Sequence, residues 1–213
     1  MKFLKLISLF LVFIPLSCCR QELINISTLK ENVIRYYESG EYEKDVTKAV
    51  KAAEEEFDEI KFDDSSVVIF DVDDTALSSY EINKELDMGY VVKLWDEWID
   101  KANAPAIKPV KELYDYLLNK GSHIIFITGR NDKQYEPTKK NLINVGYTTF
   151  DTLITRQPNE KGLRAVDYKS EKRIALTNKG YKIAGTVGDQ LGDLEGPYHG
   201  IQVKLPNYIY LTK

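Results

Sequence analysis

Hydrophobic positions along this 213-residue chain follow two periodicities that alternate from one segment to the next. Across residues 28–60 apolar side chains recur at threes and fours (Ile34, Tyr37, then Val46, Ala49, Val50, Ala53, Phe57 and Ile60), with a break at Ser39-Gly40. That spacing gives each of two helices one apolar stripe, and leaves Glu54, Glu55 and Glu56 to solvated faces. Val67-Val68-Ile69-Phe70 departs from the pattern: it is a continuous apolar run rich in β-branched residues, as expected of a strand buried on both faces of a parallel sheet. Three more strands are predicted, at 123–127, 152–154 and 182–187. Helices at 110–119, 134–144 and 170–179 separate them, each closing near a glycine (Gly121, Gly146, Gly180) that can take a left-handed terminal conformation. Strand alternating with helix implies an α/β fold, a doubly wound parallel sheet with N-terminal helices. Residues 75–108, rich in aromatic and small side chains, form a small helical insertion after the first strand. Its position predicts that it overhangs the carboxyl end of that strand.

The first residues belong to a different pattern. Lys2 and Lys5 precede an apolar run at 6–16 that ends Pro15-Leu16-Ser17-Cys18-Cys19, the order of an export signal and too short to span a bilayer comfortably. Residues 1–19 are therefore read as a signal peptide and 20–213 as one domain. A leucine followed by small residues and cysteine resembles the bacterial lipobox, with Cys19 or Cys18 as the lipidated residue. Such a chain would meet a membrane only through its lipid anchor, facing the periplasm or cell surface.

Composition narrows the classes further. With 43% hydrophobic and 29% charged residues the chain has the balance of an ordinary globular domain. Its only two cysteines lie at the end of the signal, so the remaining domain has no disulfide and relies on its core. Without Lys2 and Lys5 about 27 basic side chains face 33 acidic ones, a poor balance for binding nucleic acid. His123 and His199 lack the spacing of a metal pair and read as structural or solvated.

The chemistry concentrates at strand ends. Asp71-Val72-Asp73-Asp74-Thr75 follows the first strand, and in extended backbone Asp71 and Asp73 face the same way. Carboxylates so close favour either protons or a hard cation. The second strand runs into Thr128-Gly129-Arg130, which offers a hydroxyl and a flexible backbone whose N–H groups can hydrogen-bond phosphate. The fourth ends Gly188-Asp189-Gln190-Leu191-Gly192-Asp193, and lysines lie upstream of it in Tyr168-Lys169-Ser170-Glu171-Lys172-Arg173.

In this order the segments resemble the four motifs of the haloacid dehalogenase (HAD) superfamily, in its acid phosphatase branch, subfamily IIIB. Trp98, Asp100-Lys101, Ala104-Pro105-Ala106, residues 168–173, Gly188-Asp189-Gln190 and Lys204-Leu205-Pro206-Asn207 look like the plant acid phosphatase and vegetative storage protein group. The signal and lipobox look more like the bacterial class C lipoprotein acid phosphatases. The resemblance implies a Mg2+-dependent phosphomonoesterase in which Asp71 is the nucleophile and Asp73 the general acid and base. It implies a metal held by Asp71, the Asp73 backbone and Asp189, with Asp193 hydrogen-bonding Lys169 or metal waters. Thr128, Gly129 and Lys169 would hold the phosphoryl group; Lys169 is preferred to Lys172 for its spacing to Asp189. Arg130 is as readily a salt bridge holding the loop as a substrate contact. Tyr80 and Trp95 could stack on a nucleoside base or phenyl leaving group, or simply pack the insertion, which is the reading taken for Trp98. The implied partner is a small phosphomonoester such as a 5'-nucleotide. Phosphoryl transfer through the same intermediate, and a non-catalytic surface-binding or storage protein of the same fold, are the alternatives.

Overall fold

The central strand, β1 (Ser66–Phe70), is buried at every position and pairs in parallel with β2 (His123–Asn131) on one side and β4 (Lys182–Gly188) on the other. These elements come from a computed structural model that describes residues 23–212; the signal and its lipobox, with Cys18 and Cys19, lie outside the described residues. β3 (Thr152–Arg156) extends the sheet beyond β2, and β5 (Ile201–Lys204) beyond β4. The five strands are all parallel, in the order β3-β2-β1-β4-β5. The chain leaves β1 in one direction and later returns to its other side, so the carboxyl edge between β1 and β4 is the switch point where a crevice opens.

Strand alternation divides the core. Val68 and Phe70 of β1, with Ile124 and Phe126 of β2, face α2 (Glu41–Asp58) and α5 (Lys108–Asn119), meeting Val50, Ala53, Phe57, Val110, Leu113 and Leu117. Val67, Ile69, Ile125 and Ile127 face the other way, onto Tyr168 and Leu176 of α7 (Ala165–Asn178). Each such side chain contributes about 1.5–3 kcal/mol by leaving water, enough to make the register of β1 unambiguous.

α1 (Ile26–Glu38) is capped by Asn25, whose side chain accepts from Ser27 N at 2.9 Å. It gives way to α2 at Ser39-Gly40, where Gly40 takes φ +86°. After β1 the chain forms two short helices, α3 (Tyr80–Glu85) and α4 (Val92–Asp100), before α5. The ends of this segment are stitched together: Ser78 N donates to Pro105 O at 2.9 Å and Ile107 N to Ala76 O at 3.1 Å. Its underside, with Ile82, Trp95, Trp98 and Ile99, joins the larger core cluster. Asn141 of α6 (Tyr135–Asn144) exchanges hydrogen bonds with the backbone of Ala104 at 2.9 and 2.8 Å, and Gln134 donates to Asp96 at 2.7 Å. The segment is thereby held over the carboxyl edge of β1 and β2.

Three boundaries differ from the sequence reading. β5 was not anticipated, because four residues with one fully buried side chain leave almost no periodicity to read. β2 continues to Asn131, since a register shift against β3 resumes pairing at Asn131 and Arg156. α7 starts at Ala165 rather than near Ser170, which places Lys169 within the helix. The last helix, α8 (Leu191–Leu194), is a single turn. Among the described residues no helix is long and apolar enough to cross a membrane.

Candidate active site

Asp71 leaves β1 with its backbone still on the ladder, Asp71 N donating to Val187 O at 2.9 Å. The chain then turns sharply: Thr75 N and Leu77 N both donate to Val72 O, and Asp74 takes φ +52°. A non-glycine residue is tolerated there because its side chain is fastened, accepting from Ser79 N at 2.8 Å, from Ser79 Oγ at 2.5 Å and from Tyr210 Oη at 2.8 Å. The turn aims Asp71 across the sheet edge toward β4 and α8.

There it meets Lys169, whose Nζ donates to Asp71 Oδ1 and, at 2.5 Å, to Asp193 Oδ1. Asp71, Asp189 and Asp193 are all buried and bring carboxylate oxygens within 4.8 Å of one another. Asp193 comes so close only because β4 ends in glycine: a Cβ on Gly188 would lie 2.4 Å from Asp193 Cβ. Burial pushes the Asp71 carboxyl well above its ordinary range; Lys169 opposes the shift, while Asp193, Asp189 and Asp73 add to it. Asp189 is pushed up to about 7 by burial, then by repulsion from Asp193 and Asp74. Burial would lower the pKa of Lys169, but Asp193 and Asp71 beside it hold it above its usual value. One ammonium cannot balance three buried carboxyl groups, so the others must hold protons or a cation. The donor set is all oxygen and fits a hard divalent cation, which would supply that balance.

A cavity of about 1020 Å³ opens above this floor. Asp71, Asp73, Lys169, Asp189 and Asp193 line it, with the apolar side chains Met88, Tyr90, Val92, Trp95 and Ile99 and the basic side chains Arg130, Lys133, Arg156 and Lys161. Gly129 is on the wall, and a Cβ built there meets nothing within 4 Å.

The structure therefore brings Asp71, Asp73, Gly129, Lys169, Asp189 and Asp193 into one site, and Trp95 onto its wall. Lys172 pairs with Glu160 instead. Thr128 is fully buried behind Gly129, its hydroxyl accepting from Arg130 N at 3.1 Å, and is not on the wall. Asp73 does not join the carboxylate cluster through its side chain. It is held by Arg130, with Nε 3.1 Å from both its oxygens and Nη2 2.7 Å from Oδ1. Arg130 is itself buried, donates to Thr138 at 3.0 Å and sits 5.9 Å from the Trp98 ring.

Tyr80 is a correction. Its ring stacks on Tyr37, with centroids 4.8 Å apart and planes 3° from parallel, and its hydroxyl donates to Glu38. It faces α1 because the first turn of α3 packs there, so it is outside the cavity and no substrate contact is assigned to it. Tyr90 of the same segment stands on the wall instead, 5.5 Å from the Trp95 ring. Trp98 is buried beneath Trp95, as its packing role required.

Two groups near the site escaped the sequence reading. Asn207 donates to Asp189 Oδ2 at 2.6 Å, and Tyr210 reaches Asp74 from the C-terminal tail. Asn207 stood in a segment noted only for its resemblance, and nothing in the local pattern marks Tyr210.

A parallel sheet that presents an aspartate at the end of its central strand, beneath an overhanging segment and beside a buried lysine, defines an α/β protein whose carboxylate cluster at the sheet's switch point could hold a metal ion. The chain belongs to the HAD superfamily, subfamily IIIB (acid phosphatase), whose family model matches residues 17–213. It is 38% identical over 150 residues to the stem 28 kDa glycoprotein of Glycine max, covering 67% of this chain and 58% of that one. It is 34% identical over 177 residues to acid phosphatase 1 of Solanum lycopersicum (81% and 65%), and 37% over 155 residues to vegetative storage protein 1 of Arabidopsis thaliana (71% and 57%). The chain thus spans less than two thirds of the length of these relatives. Among solved structures, the class C acid phosphatase of Bacillus anthracis with tungstate bound superposes with a TM-score of 0.72 at 24% identity, covering 87% of this chain and 86% of that one. At that identity the likeness is one of fold.

Proposed function

We propose that this chain is an exported, Mg2+-dependent phosphomonoesterase that works through an aspartyl-phosphate on Asp71. The observation that carries the reading is the buried Asp71 carboxylate at the floor of the cavity, in contact with Lys169 and clustered with Asp189 and Asp193. Asp71 would attack phosphorus and expel the alcohol; the covalent phosphoryl group divides hydrolysis into two easier steps. Asp73, which lines the same cavity and is held by Arg130, would protonate the leaving oxygen and then take a proton from the attacking water. Lys169 would offset the charge on the phosphoryl oxygens, while the backbone at Gly129 would donate to them. Asp71, Asp189 and the Asp73 carbonyl would hold Mg2+, which supplies charge neutralisation between an anionic nucleophile and an anionic ester.

The apolar wall of Tyr90 and Trp95 suits a phosphomonoester with a planar apolar body, such as a 5'-nucleotide or an aryl phosphate. The Trp95 indole N–H is buried with no partner among the described residues.

The test is phosphate release from p-nitrophenyl phosphate and a panel of 5'-nucleotides, with Mg2+ or EDTA, beside Asp71→Asn. Metal-dependent turnover is expected, and the substitution should reduce it by on the order of 10^3-fold or more. No turnover by the wild type between pH 5 and 8 would overturn the reading in favour of a storage role, which the kinship with vegetative storage proteins would then support. Transfer of phosphate to added alcohols in the same assay separates a transferase from a hydrolase.

Export and lipidation rest on the order Lys2, Lys5, the apolar run and Leu16-Ser17-Cys18-Cys19. Labelled fatty acid should enter the protein in a bacterial host and be lost in the Cys18→Ser, Cys19→Ser double variant; a wild type that takes up no label would refute the anchor.

A further inference from the structure

After β5 the chain does not simply end. Residues 205–212 turn back across the carboxyl edge of the sheet, and Tyr210 and Thr212 reach the cavity wall. Leu205 N donates to Gly188 O at 2.9 Å, fastening the turn beside β4. Asn207 then does two things at once. Its Oδ1 accepts from Ile209 N at 2.8 Å, which shapes the tail, and its Nδ2 donates to Asp189 Oδ2 at 2.6 Å. Gln190 Nε2 donates to that same oxygen at 2.6 Å, and Gln190 Oε1 accepts from Thr212 N at 3.1 Å. Two amide groups therefore converge on one oxygen of Asp189. Among the described residues the other, Oδ1, has only the Thr75 hydroxyl, at 3.3 Å.

A buried aspartate can rotate about its Cβ–Cγ bond unless its oxygens are distinguished. Here two charge-assisted hydrogen bonds on Oδ2 distinguish them, so Oδ1 is the oxygen left for a cation. The Tyr210 hydroxyl donates to Asp74 Oδ2 at 2.8 Å and ties the same strap to the turn that carries Asp71 and Asp73. One eight-residue segment is thus hydrogen-bonded to both sides of the carboxylate floor.

We propose that the C-terminal strap is part of the metal site: Asn207 is a positioning residue that, with Gln190, orients Asp189 for a divalent cation, and Tyr210 is the latch that keeps Asn207 in place. Groups that orient a metal ligand are worth about 10- to 100-fold in metal affinity. The inference rests on the metal reading above, and it concerns affinity rather than the chemical step.

The test is Mg2+ titration of the purified protein by calorimetry, with the Mg2+-induced rise in melting temperature as a second readout. Asn207→Ala should weaken Mg2+ binding by about 10- to 100-fold and shrink the thermal shift. Tyr210→Phe, which removes only the latch hydroxyl and preserves the ring, should weaken it by a few fold. It stands in for Asn207→Ala should that variant fail to fold. Tyr208→Ala alters an exposed residue of the same strap that touches Tyr36 and not the floor; it should leave Mg2+ affinity within about twofold of wild type. Wild-type affinity in folded Asn207→Ala, or in Tyr210→Phe where that variant stands in for it, would overturn the proposal. A loss in Tyr208→Ala equal to that in Asn207→Ala would do so too, by making the effect one of general strap disorder. A wild type that binds no Mg2+ at all would instead refute the metal reading itself.

Discussion

At the floor of the cavity four charged side chains, Asp71, Lys169, Asp189 and Asp193, are buried; on its roof, the apolar wall carried by the segment after β1, Tyr90 and Val92 are exposed. The two regions depart from the usual distribution of polar and apolar groups in opposite senses. On the floor every departure is answered locally: Lys169 by two carboxylates, Asp193 by Lys169 and by Gln190 N at 2.9 Å, Asp189 by two amides. On the roof nothing among the described residues covers the exposed side chains, although Trp95, Trp98 and Ile99 beneath them are packed into the core. The floor stores electrostatic energy that a cation can release, whereas the roof stores apolar area that a ligand can cover. Function is therefore written on the floor as charge imbalance and on the roof as unburied surface, and the two should fail in different ways.

The largest separation is expected from Gly188→Ala. The added Cβ would lie 2.4 Å from Asp193 Cβ and 2.6 Å from its Oδ2, so Asp193 must move and Lys169 loses one of its partners. Overpacking of this kind costs about 1–3 kcal/mol, and turnover should fall by on the order of 10^2-fold while the roof keeps its affinity for an aromatic competitor. Unchanged turnover would mean that the position of Asp193 is immaterial to the floor.

A second test uses pH. Asp189 titrates at about 7 in the folded protein, against about 4 in an unfolded chain. Between those values the folded state holds a proton that the unfolded chain has lost, so the metal-free protein should lose stability as pH rises from about 4 to 7. The loss is on the order of 2–4 kcal/mol if the shift is fully expressed. Asp71, raised in the same direction, adds to it, and Lys169 stays charged throughout. Asp63, depressed by Lys182 and by Ser65, acts in the opposite sense, but only below about pH 4. Melting temperature measured with EDTA should therefore fall between pH 5 and 7.5. Mg2+ should restore it at the upper end, and Asp189→Asn should make the fall shallower, leaving the part due to Asp71, and abolish the Mg2+ response. A metal-free melting temperature that climbs over this range would show that the floor is not under electrostatic strain.

The smallest effect belongs to the roof, where two tyrosines of the same segment have opposite fates. Tyr90→Ala should raise KM for an aromatic phosphomonoester several-fold, worth about 1 kcal/mol, with melting temperature nearly unchanged. Tyr80→Ala should lower the melting temperature by a few degrees and leave KM alone, because it loses the stack on Tyr37 and the bond to Glu38. The reverse assignment would place the ligand on the α1 side of the segment.

Most of the floor is legible in the amino-acid sequence. A continuous apolar run followed by Asp71 and Asp73 determines a buried parallel strand with carboxylates at its end, because the period-2 backbone leaves those side chains little choice of side. Gly188-Asp189 after the fourth strand, and a lysine some twenty residues earlier, are placed by strand order and resemblance. What the sequence does not reveal is which partner each group chooses. Asp73 turns to Arg130 rather than joining Asp71 through its side chain, and Lys172, the lysine not preferred for its spacing, pairs with Glu160. Tyr80 and Tyr90 look alike in sequence and are divided only by which side of the segment packs on α1.

The sequence alone determined the alternation of strand and helix, the strand ends at which chemistry gathers and the residue types placed there, since these follow from local periodicity and from side-chain chemistry. Only the tertiary structure decided the β3-β2-β1-β4-β5 order, the closeness of Asp193 to Gly188 and the return of Asn207 and Tyr210 to the floor. Those depend on contacts between residues far apart in the chain, as Tyr210 and Asp74 are, or on a clearance of a few ångströms at one glycine. Local pattern carries no information about either.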